Sequence, residues 1–412
     1  MDNETKSSIA TETFKYNKNK TSLKNSNSAI PPVEYDDLYW WLWWVVTGEW
    51  FRPFYRTSWI LTSNVYIVFT YITYMLFLSP LCVVGGHAGK QLFWTIEEIF
   101  YGWILELLTS WSYTANYKII ESGDSLDSIL DGTILFLPNH QGSADIPTCM
   151  NIFASRYRCT GKLTWIMDYI FKFTHFGIVS WFHDDFFIQE GKEHRSKSLE
   201  DLKDHLQNSF VTKKRQCLIL FPEGGFLRNR KLSNQNFARK NDLPVLEHCT
   251  LPRLGALNSV IQGLSADRVL KNKVPCKSDS TTKSNIKFNK IVDVTIAYPD
   301  GKPLGLLDIS FGSKDSLKIH VHYKIYDINE LPVDLNGMRR WMYNVYLEKE
   351  KLLHNFYATG NFPRSGADSN LVEKPRELLF DPMRFILINF FFLVSTYIFV
   401  HFGQILMYIF RN

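Results

Sequence analysis

The sequence predicts an α/β fold, a mostly parallel sheet flanked by helices, with N-terminal membrane-embedded or interfacial helices and a C-terminal transmembrane helix. Between Tyr117 and Tyr357, short β-branched or Leu-rich runs alternate with longer polar-apolar segments, the pattern of strands connected by helices. Two windows, 57–87 and 385–410, contain no Asp, Glu, Lys or Arg. Each is longer than the roughly 20 apolar residues a spanning helix needs. With 412 residues the chain can bury a large core, and both windows are richer in aromatic residues than its overall share of 15%.

Residues 1–34 are Lys-, Ser- and Asn-rich with few large apolar side chains, and are expected to be a disordered tail. Residues 35–113 form an N-terminal membrane-associated region. Its "LYWWLWWVV" (38–46) suits the headgroup level, where Trp and Tyr are favoured. A membrane helix at about 57–84 follows, too long and too far from the N-terminus for a cleavable signal. The stretch 91–113 is apolar but interrupted by Glu97, Glu98 and Glu106, which places it in the interface. An α/β domain then covers 114–370. Its strands are expected at 133–138, 186–188, 217–222, 244–249, 292–298 and 318–326. A helix is expected at 198–210, where Leu199, Leu202, Leu206 and Phe210 recur at helical spacing. The basic, Ser/Thr-rich interval 271–290 reads as a mobile loop. The chain closes on the transmembrane helix 385–410, and no internal repeat is present.

Six cysteines without CxxC spacing read as free thiols on the cytosolic side of a membrane. A net charge of +5 suits an anionic membrane surface and makes no case for nucleic acid. Arg52 and Arg56 before the first window favour a cytosolic N-terminus, while Lys374, Arg376 and Arg384 before the last favour a cytosolic α/β domain. One N-terminal span cannot satisfy both. A hairpin or interfacial pair over 57–113, returning to its starting side, does. The expected location is the endoplasmic reticulum membrane with the active site facing the cytosol.

Ligands of open α/β sheets bind outside the carboxyl ends of strands. Two expected strands end in unusual loops, "NHQGSAD" (139–145) and "EGGFLRNRK" (223–231). If the strands are parallel neighbours, the loops share one cleft. His140 and Asp145 would lie about 140° apart on one helix, so they meet only if His140 is in the loop and Asp145 is in the helix behind it. A carboxylate on one imidazole nitrogen leaves the other able to take a proton from a hydroxyl. The same spacing also fits a capping Asp behind an Asn-His turn. In the second loop, glycines admit close approach of a ligand, and Arg228, Arg230 and Lys231 offer charge for phosphate.

The order NHxxxxD, then FPEG about eighty residues later behind a membrane region, resembles the glycerolipid acyltransferase family that includes lysophosphatidic acid acyltransferases. The forms "NHQ", "FPEGGFLR", "HCTLPRLGAL" (248–257) and "VTIAYPDGKPL" (294–304) are most similar to its acyl-CoA:lysophosphatidylglycerol acyltransferase subgroup, which also acts on lysophosphatidylethanolamine. The resemblance implies acyl transfer from acyl-CoA, a co-substrate, to a hydroxyl of a lysophospholipid, with no cofactor and no metal. It implies His140 as base and Asp145 as its orienting carboxylate. Phe221, Pro222, Glu223, Gly224 and Gly225 would form the acceptor-binding motif. Many members have EGTR where this chain has Glu223-Gly224-Gly225-Phe226, so the phosphate arginine is expected elsewhere, Arg228 first. Gln189 stands where many have another arginine, with Lys192 or Arg195 as replacements. Arg253, in a later motif, is a further phosphate contact.

Two other function classes stay open. A thioesterase or lysophospholipase would use the same pair on water, and a non-catalytic membrane scaffold would keep only the fold. The sequence leaves the oligomeric state unspecified. His183-Asp184-Asp185 and the pair His320 and His322 read as structural or surface residues. Ser143 lacks the GxSxG setting of a nucleophile.

Overall fold

The computed structural model describes residues 51–157, 159–189, 191, 193–264, 288–312, 316–363 and 372–411. The expected tail, the Trp-rich stretch, Lys192, Cys276 and all but the end of the 271–290 loop lie outside them.

Helix α1 (Arg52–Leu78) and the short α2 (Pro80–Val84) run out, and α3 (Gly86–Thr114) returns. Arg56 Nη2 at the start of α1 donates to Trp111 O (2.8 Å) and Thr114 Oγ1 (3.2 Å) at the end of α3, so the two helices form an antiparallel hairpin. The chain then builds β1 (Tyr117–Asp124), β2 (Ile134–Pro138), α4 (Asp145–Ala154), β3 (Leu163–Asp168), α5 (His175–His183), β4 (Phe186–Ile188) and α6 (Arg195–His205). After these come β5 (Cys217–Ile219), α7 (Leu227–Lys240), α8 (Leu254–Leu264), β6 (Lys290–Ala297), α9 (Leu306–Phe311) and β7 (Leu317–Asp327). The chain ends in α10 (Leu335–Thr359), β8 (Val372–Glu377) and α11 (Pro382–Arg411).

The strands form one sheet in the order β4-β3-β5-β2-β6-β7-β1-β8. Pairing is parallel except at β6/β7 and β1/β8. Central β2 is buried throughout because both faces are covered. Ile134 and Phe136 point into a core shared with α1, α3, α4 and α5. Leu135 and Leu137 point into a second core with α6, α8 and α10. Period-2 alternation thus assigns one apolar strand to two layers.

The segment 244–249 is not a strand. It is an irregular loop whose N–H groups at Glu247, His248 and Cys249 all donate to the carboxylate of Glu350 on α10. Strands β1, β3 and β8 come in addition to those expected. The first alternates buried and half-buried residues, and β8 carries Pro375 at the sheet edge, where a missing N–H is tolerated.

The acids of α3 differ from expectation. Glu97 is completely buried, accepting from Tyr71 OH (2.8 Å) and contacting His183 Nδ1 (2.7 Å) and Arg215 Nη2 (3.3 Å). Arg215 also donates to the carbonyls of Gly161 (2.6 Å) and His183 (2.9 Å), and the His183 ring stacks on Tyr101 at 3.4 Å. Glu106 pairs with Arg384 at the base of α11. These charges are matched inside the protein, which is how an otherwise apolar helix accommodates them.

Among the described residues, helices 53–84 and 382–411 are the two long and apolar enough to cross a membrane. They pack in parallel, Tyr66 against Asn389, Thr70 Oγ1 2.6 Å from Thr396 Oγ1 and Tyr74 OH 3.0 Å from Ser395 Oγ. Cys82, Cys149, Cys159, Cys217 and Cys249 are free thiols.

Candidate active site

Strands β2 and β5 are parallel neighbours, Ile134 beside Cys217 and Phe136 beside Ile219, so their two loops emerge side by side. Strand β6 flanks β2 on the other side in parallel and ends at Ala297, one residue before Tyr298. Asn139 stitches this end of the sheet together: its side chain donates to Ile296 O (3.0 Å) and accepts from Ile296 N–H (2.7 Å).

His140 stays in the loop while Asp145 opens α4, and Nδ1 lies 3.0 Å from Asp145 Oδ2. Asp145 is completely buried; its Oδ2 also accepts from Gly142 N–H (3.0 Å) and its Oδ1 from Tyr298 OH (2.6 Å). It therefore both ties the turn and orients the imidazole. The His140 ring lies between Phe221 (centroids 4.1 Å, stacked) and Phe226 (4.4 Å). With Nδ1 engaged, Nε2 has no hydrogen-bond partner among the described residues and is the nitrogen available to a substrate.

Glu223 is buried beneath this pair. Its Oε1 accepts the backbone N–H of His140 (2.9 Å), and its Oε2 accepts from Thr250 N–H (3.1 Å) and hydroxyl (2.9 Å). It thus braces the His140 loop against the 247–250 loop, which Glu350 holds from the other side. Burial pushes the Glu223 carboxyl up to about 8, against hydrogen bonds that favour its ionised form. The folded chain then holds a proton that the unfolded chain releases between about pH 4.5 and 8. Stability from this group is full at the acidic end and declines as pH rises. Glu223→Gln should flatten that decline in a melting-temperature profile from pH 5 to 8; an unchanged slope would contradict the assignment.

Gly224 (φ +67°) and Gly225 (φ +153°) turn the second loop through conformations that side chains disfavour. A Cβ on Gly224 would stand 3.1 Å from Arg253 Cδ, and one on Gly225 would collide with the guanidinium of Arg230. Arg253 and Arg230 therefore lie along the motif glycines. Arg228 is exposed at the start of α7, and Lys231 pairs with Glu247 (2.9 Å). Arg195 approaches Gly255, two residues beyond Arg253. Gln189 is exposed. Pro222 is buried, and its carbonyl accepts Arg253 N–H (2.7 Å).

Several residues of the site are absent from the sequence expectations. Tyr298 stands at the end of β6 within the quoted "VTIAYPD", and a neighbouring strand end was the available signal. Lys349 of α10 is fully buried and donates to Val294 O (2.6 Å) and Leu137 O (3.3 Å), joining the ends of β6 and β2, with Asp293 2.8 Å away. Gln141 donates to His248 O and accepts from Tyr357 OH, both at 3.0 Å. Ser143 Oγ accepts from Leu306 N–H (2.8 Å), tying the loop to α9.

Residues 119–243, which hold both motifs, match the acyltransferase family, and residues 311–393 match the family described as the acyltransferase C-terminus. Acyl-CoA:lysophosphatidylglycerol acyltransferase 1 of Mus musculus is 36% identical over 367 residues, 88% of this chain and 96% of the relative. The chain belongs to the acyltransferase family. The Homo sapiens acyl-CoA:lysophosphatidylglycerol acyltransferase 1 is 35% identical over 87% of this chain and 94% of its own length. Among solved structures, the 1-acyl-sn-glycerophosphate acyltransferase PlsC of Thermotoga maritima matches 73% of this chain and 96% of its own, with TM-score 0.38 and 13% identity. In this acyltransferase the C-terminal match contains α10, whose Lys349, Glu350 and Tyr357 brace the loops around His140.

Proposed function

We propose that this acyltransferase moves a fatty acyl group from acyl-CoA to a free hydroxyl of a lysophospholipid, with lysophosphatidylglycerol or lysophosphatidylethanolamine as acceptor. The observation that supports it most is the meeting of two loops. One supplies an imidazole with an oriented, available Nε2, and the other carries Arg230 and Arg253 along a glycine turn suited to an anionic headgroup. His140 takes the proton of the acceptor hydroxyl as its oxygen attacks the thioester carbonyl. Asp145 and Tyr298 hold the imidazolium that forms. Collapse of the tetrahedral intermediate breaks the C–S bond, and the imidazolium returns the proton to the leaving thiolate. Gly225 and Phe226 carry N–H groups without an acceptor among the described residues, and we assign the oxyanion to them. The thioester is already activated, so this route needs no covalent enzyme intermediate.

We place the chain at the endoplasmic reticulum membrane with this site facing the cytosol, where acyl-CoA is available. The decisive experiment offers purified protein one labelled acyl-CoA and a panel of lysophospholipids. Labelled phosphatidylglycerol or phosphatidylethanolamine is expected. Product from lysophosphatidic acid alone would overturn the acceptor, and release of free fatty acid without any acceptor would replace transfer by hydrolysis.

A further inference from the structure

A cavity of about 590 Å³ lies between the C-terminal halves of α3 and α4, the start of β1 and the 377–385 connection from β8 into α11. That volume suits an organic ligand. The cavity is separate from the His140 site, because none of the residues that orient or flank the imidazole lines it. Among the described residues that do, Glu106, Glu377 and Asp381 are acidic and Lys118 is basic. The last turns of α3 and α4 also meet here, through Tyr113 and Ala154, and a helix C-terminus carries partial negative charge.

Each carboxylate has a partner and still keeps acceptor capacity. Glu106 Oε1 accepts from Arg384 Nη2 (2.8 Å), and Asp381 accepts from Arg384 N–H (3.0 Å) and Tyr157 OH (3.3 Å). Glu377 meets Lys118 Nζ at 3.0 Å with side chains 37% and 41% exposed, and such a surface pair holds little energy. A ligand that brings its own ammonium and phosphate can part it and satisfy both ends. The rings nearby have faces already engaged: Tyr113 stacks on Phe380 at 4.3 Å, and the Arg384 guanidinium sits 4.1 Å over Tyr157. Recognition therefore falls to the carboxylates, which need N–H donors that a quaternary ammonium lacks. Leu378, Leu379 and Phe385 stand beside these charges, so the occupant is an amphiphile.

We propose that this cavity binds an intact phospholipid with a primary-amine headgroup, away from the reacting centre. Its ammonium lies among Glu106, Glu377 and Asp381, its phosphate on Lys118 and its chains along Leu379 and Phe385. The test irradiates the full chain in detergent with diacyl phosphatidylethanolamine carrying a diazirine in one chain, and maps the labelled peptides by mass spectrometry. The probe has no free acceptor hydroxyl, so its labelling is read independently of acyl transfer and of the acceptor assigned above. Label within 106–119 and 377–385 is expected, displaced about tenfold more effectively by unlabelled phosphatidylethanolamine than by phosphatidylcholine or phosphatidylglycerol. Asp381→Asn, which removes the charge and keeps an acceptor for Arg384 N–H, should lower labelling severalfold with the melting temperature unchanged. Glu377→Lys, at an exposed position, should shift displacement toward phosphatidylglycerol. Equal displacement by the three headgroups, label confined to peptides bearing His140 or 221–230, or variants that label like the parent would overturn the proposal.

Discussion

His140→Ala should lower kcat for acyl transfer by about 10³-fold while leaving the melting temperature within a few degrees of the parent, since the ring makes one side-chain hydrogen bond and its backbone N–H to Glu223 is untouched. Asp145→Asn should cost a similar factor. An amide cannot accept simultaneously from the imidazole, Gly142 N–H and Tyr298 OH as the carboxylate does. The imidazole is then released from the tautomer that presents Nε2. Tyr298→Phe removes one hydrogen bond to a charged group and should cost about tenfold. The graded order His140, Asp145, Tyr298 is the signature to measure by steady-state kinetics with labelled acyl-CoA. A His140→Ala enzyme within tenfold of the parent would refute the general-base assignment.

The largest stability effect is expected at Glu97→Ala. It leaves the Arg215 guanidinium and the His183 ring buried without their carboxylate, and removing one partner of a buried pair costs about 3–5 kcal/mol. Much of the loss is desolvation of the abandoned cation, so Arg215→Ala should be comparably damaging and the double variant less than additive. Melting curves of the four proteins in one detergent measure this. Single variants that melt with the parent would show that the cluster carries no such coupling.

The two loops of the candidate site were legible because each follows a fully apolar strand, and a strand buried on both faces announces itself by composition. Strands β1, β3 and β8 were less visible. In β1 adjacent Ile119-Ile120 and Glu121-Ser122 break the polar-apolar alternation that would mark a strand, and β8 sits at an edge where Lys, Pro and Arg are tolerated. The 244–249 run failed as a strand for a related reason. Apolar content suggested a ladder, but its N–H groups are taken by a carboxylate a hundred residues away. Glu97 and Glu106 were read by their cost in lipid, since their partners His183, Arg215 and Arg384 are distant in sequence.

At the site, spacing alone left Asp145 as either a cap or an orienting group. The fold makes it both, because a carboxylate has enough acceptor sites for Gly142, His140 and Tyr298 together. The departure from EGTR also has a physical sense: Phe226 packs on His140, and Arg230 and Arg253 supply charge along the glycines. Local sequence by itself determined the strand-to-loop units, the five-residue spacing of His140 and Asp145 and the apolar helices, all of which depend on residues within a few positions of one another. Tertiary structure alone decided which arginines reach the motif and which tyrosine backs Asp145. Those depend on side chains brought together across the sheet, and no spacing along the chain records them.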